Sequence, residues 1–95
     1  MPAYLVSLVT VTDPEPYSEY AKRAPAAIAK YGGRILARGG RNTGLEGPPP
    51  PPRIVLIEFE SLERAEEYYH SPEYQDAKSY REGAGTLQIM VVEGV

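Results

Sequence analysis

Apolar residues change their spacing several times along the chain, and each change marks an element. From Ala3 to Val11 nearly every position is aliphatic, aromatic or β-branched, and Thr12-Asp13-Pro14 closes the run as a turn, so a strand is predicted. From Pro16 or Tyr17 the spacing becomes three and four, with Tyr17, Tyr20, Ala21, Ala24, Ile28 and Tyr31 on one face. This predicts a helix stopped by Gly32-Gly33 and capped by Asp13. Pro25 inside it removes one backbone hydrogen bond, which predicts a bend and not a break. Gly33 to Gly40 and Arg53 to Glu60 read as strands, separated by a loop that holds Glu46-Gly47 and five consecutive prolines, Pro48 to Pro52. Ser61 suits the N-cap of a second helix, with Arg64 at N3 and Leu62, Ala65 and Tyr69 sharing a face. Ser71-Pro72-Glu73 restarts a helical segment that runs to about Arg81, Gly83 and Gly85 end it, and Thr86 to Glu93 forms the last strand.

The order strand, helix, strand, strand, helix, strand is two crossover units, the α+β ferredoxin-like βαββαβ arrangement, as one domain over residues 1–95. Helices then cover one face of a four-stranded antiparallel sheet. The third strand is apolar on both parities, with Val55, Ile57 and Phe59 on one and Ile54 and Leu56 on the other. A sheet with one wet face alternates more cleanly. The second face is therefore expected to be buried as well, and a second copy of the chain is the economical cover, giving a homodimer through the sheet face.

Composition narrows the chemistry. There is no cysteine and one histidine, which removes disulfides, thiolate nucleophiles and multi-histidine metal sites and fits a reducing cytoplasm. The net charge of -3 argues against nucleic acid as a partner. No membrane span, export signal, P-loop or dinucleotide fingerprint is visible, and no cofactor is expected.

Specific words can be matched at this point: Val11-Thr12-Asp13-Pro14 followed by Tyr17 and Tyr20, Tyr31-Gly32-Gly33-Arg34, Arg38-Gly39-Gly40, Leu45-Glu46-Gly47, Pro52-Arg53, Ile57-Glu58-Phe59, Tyr68-Tyr69-His70-Ser71-Pro72-Glu73-Tyr74, Arg81 and Val92-Glu93-Gly94. In order and spacing they resemble the small bacterial proteins catalogued as domain of unknown function 1330, in the dimeric α/β-barrel superfamily. The resemblance spans essentially the whole chain. It implies a ferredoxin-like protomer and a dimer, and no particular reaction. Two features depart from it: Tyr68 stands where relatives often carry Trp, and the proline run replaces a loop that commonly holds an aromatic residue.

Strict alternation along the second and third strands places Arg34, Arg38 and Glu58 together on the face away from the helices, joined by Thr86 and Gln88, with Ile35 and Ala37 toward the helices. There Arg38 is a candidate to hold a carboxylate or enolate and Glu58 to move a proton; the competing reading is an ion pair that fixes dimer register. His70 is a candidate proton carrier at a helix end, where capping is the plainer role. Among eight tyrosines against one phenylalanine, Tyr17, Tyr20, Tyr31, Tyr69 and Tyr74 could line a pocket between helices and sheet; core filling is the plainer reading for most of them, Tyr69 and Tyr74 excepted, and Tyr20, Tyr69 and Tyr74 are the candidate ligand contacts. Arg34, Glu46, Ser71 and Arg81 complete the candidate substrate-binding set, Glu46 from the loop and Ser71 with capping as its alternative. Two functions fit. One is a cofactor-independent enzyme acting on a small anionic or carbonyl-bearing metabolite by proton transfer, cyclisation, dehydration or oxygen-dependent chemistry. The other is a noncatalytic dimer that binds a metabolite or a protein, the proline segment offering a stiff rod of roughly 15 Å. Haem ligation by His70 ranks third.

Overall fold

A computed structural model of residues 1–95 gives β1 (Ala3–Val11), α1 (Pro14–Lys30), β2 (Arg34–Arg38), β3 (Arg53–Phe59), α2 (Leu62–His70), α3 (Pro72–Ser79) and β4 (Gly85–Glu93). The sheet order is β2-β3-β1-β4 and every neighbouring pair is antiparallel, the ferredoxin-like topology expected from the element order. β1 has the predicted bounds.

Helix α1 starts two or three residues before the predicted point, because Pro14 and Pro16 both fit the first turn, whose backbone donors have no partner inside the helix. The same prolines correct the reading of Asp13. It occupies the N-cap position, but its side chain makes no capping bond; Pro16 at N3 removes one of the two N–H groups it could accept from. The backbone fixes the helix entry instead: Thr12 and Asp13 N–H donate to the Ala84 carbonyl at 2.8 and 3.0 Å. The helix is continuous through Pro25. At its far end Gly33 lies so close to Ile28 and Phe59 that an added Cβ would sit 2.7 and 2.8 Å from them.

Ser61 caps α2 through a bond from Arg64 N–H at 3.0 Å, as predicted. Ser71 joins two helices: its hydroxyl donates to the Tyr68 carbonyl at 2.6 Å and accepts from Tyr74 N–H at 3.1 Å. Helix α3 ends at Ser79, short of Arg81, and the chain turns at Gly83 with φ of +76°, a left-handed value that glycine adopts at little cost.

Register assigns the faces. Ala3, Leu5, Ser7 and Val9 of β1 are buried toward the helices and lie across from Phe59, Ile57, Val55 and Arg53. On the outer face Tyr4, Val6 and Leu8 lie across from Glu58, Leu56 and Ile54, and on the other side from Val92, Met90 and Gln88. Leu36, Met90 and Val92 are exposed at 44 %, 38 % and 56 %. This outer face is therefore apolar along its centre and open.

One strand breaks the alternation. In the β2–β3 pairing Arg34 faces Glu58 and Ile35 faces Ile57, but a bulge between Ile35 and Ala37 then sets Ala37 against Leu56 and Arg38 against Val55. Leu36 is the extra residue. Arg38 consequently stands on the helix side and Ala37 on the outer side, reversing the expectation for both.

Candidate functional site

The core lies between sheet and helices, with Phe59, Tyr68 and Tyr74 as large, almost fully buried side chains. Helix α1 packs chiefly on α3, and α2 sits over β1 and β4. Beneath α1 this leaves a cleft of about 50 Å³. Across its floor runs a row of the sheet, Arg38 on β2, Val55 on β3, Ser7 on β1 and Ile89 on β4, flanked by Leu5, Ile35, Ile57 and Arg53. Its roof is made by Tyr17, Tyr20 and Pro25 of α1, Tyr68 and Tyr69 of α2, and Tyr74 of α3.

The polar groups of this cleft are of two kinds. Tyr20, Tyr74 and Arg81 form a chain, with the two hydroxyls 3.1 Å apart and Arg81 donating to the Tyr74 hydroxyl at 3.1 Å. The Arg81 guanidinium lies 5.1 Å from the Tyr20 ring centroid, a cation–π arrangement. Burial, then the neighbouring Tyr74, pushes the Tyr20 phenol far above its ordinary range, and burial does the same to Tyr68; both remain protonated at neutral pH and can donate. Arg53 and Arg81 each keep a buried Nε without a partner, and Ser7 and Tyr68 bring further hydroxyls to the wall. Ser7 is 5 % exposed and Tyr68 2 % exposed, and neither hydroxyl is bonded within the chain. Arg53 stacks near Tyr17, its Cζ 5.6 Å from the ring centroid, with its Nε buried and without a partner. Gly39, at φ of +69°, makes room for that guanidinium, since a Cβ there would lie 2.2 Å from it.

Neither Arg38 nor Arg53 takes part in an ion pair, and no Asp, Glu or His lines the cleft. The cleft thus carries two uncompensated guanidinium groups within an aromatic and aliphatic wall, an arrangement that attracts an anion.

Of the residues singled out in the sequence, Arg38, Tyr20, Tyr69 and Tyr74 meet at this cleft, and Arg81 stands behind it through Tyr74. Tyr69 also borders a wide open groove along β4, where Lys78 donates to its hydroxyl at 3.0 Å. Others are elsewhere. Glu58 lies on the outer face, accepting from Arg34 at 2.8 Å and from Tyr4 at 3.4 Å, so the expected grouping of Arg38 with Arg34 and Glu58 does not form. His70 is exposed at the end of α2, its ring edge-on to Tyr69 at 5.2 Å. Glu46 is exposed in the β2–β3 loop, and Ser71 is engaged as a double cap. No group of three or more His, Asp or Glu side chains is placed to hold a metal ion, and no helix is long and apolar enough to cross a membrane.

The sequence reading left Ser7 and Arg53 out of the site. Both carried a signal: Ser7 shares parity with Leu5 and Val9, and Arg53 with Val55 and Ile57, so each is a polar residue on the strand face that otherwise supplies the core.

Solved structures share this fold at low identity. A protein of unknown function from Rhodopseudomonas palustris is 19 % identical with a TM-score of 0.73, covering 99 % of this chain and 82 % of its own. The cofactor-independent oxygenase SnoaB from Streptomyces nogalater is 10 % identical with a TM-score of 0.70, over 99 % of this chain and 93 % of its own. A dimeric ferredoxin-like protein of unknown function from Bacteroides fragilis is 17 % identical with a TM-score of 0.55, over 98 % and 96 %. No curated protein matches the sequence significantly. Residues 2–95 match the family described as Domain of unknown function (DUF1330), and the chain belongs to it.

Proposed function

We propose that the cleft beneath α1 binds a small anionic metabolite and that the protein acts on it as a cofactor-independent enzyme. The observation that carries this reading is the presence of Arg38 and Arg53 in a cleft with no carboxylate on its wall. Binding uses the guanidinium groups for the anion and the Tyr20 and Tyr68 phenols as donors to a second oxygen. The walls offer charge and donors but no side chain that is a base at neutral pH. The chemistry that fits is therefore that of a substrate which ionises readily by itself, its enolate stabilised by arginine, and then cyclises or reacts with dioxygen. SnoaB, with the same fold, is an oxygenase without a cofactor and supports this class of chemistry. The missing base equally favours a second reading, a noncatalytic metabolite-binding module.

The apolar outer face is assigned to a homodimer, with the Arg34–Glu58 pair and Tyr4 as polar contacts at its margin. The dimeric Bacteroides fragilis structure of the same fold supports this assignment.

The test is binding and turnover on the same samples. A panel of short and aromatic enolisable acids is titrated by calorimetry, and each binder is then followed for oxygen uptake and product by mass spectrometry. Binding that Arg38→Gln weakens, together with turnover, establishes the enzyme. Binding without turnover of any binder leaves the module, and no binding removes both.

A further inference from the structure

The unpartnered groups of the cleft have a common character. Arg53 Nε can only donate and is buried without a partner, and the Tyr68 and Ser7 hydroxyls line the cleft, each with a proton to donate. A ligand with acceptors at two separate places matches all three. Arg38 and Ser7 lie in one row across the sheet with Val55 between them, two strand spacings or about 10 Å apart at the backbone. The surface between them is apolar. A carbonyl oxygen answers two hydroxyls at once, accepting from each through its two lone pairs.

We infer that the cleft takes an oxo acid, whose carboxylate pairs with Arg38 and Arg53 and whose carbonyl oxygen, beyond a short apolar stretch, accepts from Ser7 Oγ and the Tyr68 hydroxyl. This rests on the anionic-ligand reading and adds the second functional group. Two donors aimed at a carbonyl also polarise it, so the same contacts that select the ligand make its neighbouring C–H more acidic.

The experiment compares matched acids on the intact protein by NMR titration: 4-oxopentanoate against pentanoate, and 6-oxoheptanoate against heptanoate to allow for length. In each protein Kd is read for both members of a pair. The expected result is that at least one oxo acid binds roughly three- to tenfold tighter than its parent. Ser7→Ala and Tyr68→Phe, neither of which leaves a cavity larger than a hydroxyl, bring that ratio toward one while leaving the parent acid's Kd in place; Arg38→Gln weakens both members together. Equal binding of both members to the unsubstituted protein, with Arg38→Gln still weakening both, overturns the carbonyl subsite and leaves the anion site standing. Binding of neither acid overturns both.

Discussion

Arg38 lies directly across the strand pair from Val55, on the side of the sheet that faces the helices, because the bulge at Leu36 has reversed its parity. In a regular strand, with Leu36 paired in the ladder, the side chain would project onto the outer face beside Arg34. The position of this guanidinium, and with it the charge of the cleft, is therefore set by one irregularity of the backbone. Arg38→Gln is expected to weaken binding of a carboxylate ligand by about 1.5–3 kcal/mol, roughly ten- to 150-fold, with little change in the urea midpoint because the residue is exposed. Titration calorimetry and urea unfolding of the same variant check both halves.

Gly39→Ala tests the cleft from the backbone. The glycine combines a left-handed φ of +69° with contact against the Arg53 guanidinium. The substitution is expected to cost about 1–2 kcal/mol from conformation alone and to displace Arg53, so anion binding falls as well. Gly47→Ala is the control, since it shares the positive φ but has open space around its Cβ. It should lose stability and keep its binding.

Ser71→Ala removes a hydroxyl that closes α2 and opens α3 at once. A loss of about 1–2 kcal/mol in urea unfolding is expected, as for other N-caps whose partner N–H is buried.

Glu73 supplies the pH dependence. The Lys30 ammonium, then backbone and Tyr31 hydrogen bonds, lower its carboxyl from the ordinary 4.5 to about 2. A carboxyl depressed in the folded state stabilises above its unfolded pKa, and that contribution is lost as pH falls through the folded one. The urea midpoint of the unsubstituted protein should therefore exceed that of Glu73→Gln by a constant amount above about pH 5, and the gap should close between 4.5 and 2. A gap that widens toward acid contradicts this account. Because the group is exposed, the gap is expected to be small and to shrink with added salt.

The outer face makes its own prediction. Leu56 lies at its centre between Val6 of β1 and Ala37 of β2. The protein should elute at twice its 10.5 kDa chain mass, and Leu56→Glu should elute as one chain while keeping its far-ultraviolet spectrum.

Much of this was legible in the residues. The period of the apolar positions located every element, and the doubled apolar parity of β3 marked the outer face as apolar. The boundary errors have local causes. Pro14 and Pro16 look like helix stops but are tolerated in a first turn, and Asp13 looks like a cap but faces a proline at N3. The site was half legible. Tyr20, Tyr69 and Tyr74 follow from helical spacing, whereas the placement of Arg38 depended on a bulge that no glycine or proline announces, in the segment Ile35-Leu36-Ala37. The charged residues were expected together on the sheet face away from the helices, so Ser7 and Arg53, on the core parity, stood outside the expected site.

The most direct test of the cleft is a methyl NMR titration with pentanoate and 4-oxopentanoate. The account predicts that the methyl signals of Val55, Ile57 and Ile89, on the helix side of the sheet, shift and saturate together, and that those of Leu8, Leu56 and Met90 on the outer face stay in place. Shifts confined to the outer-face methyls, or none on the helix side at saturating acid, would contradict it.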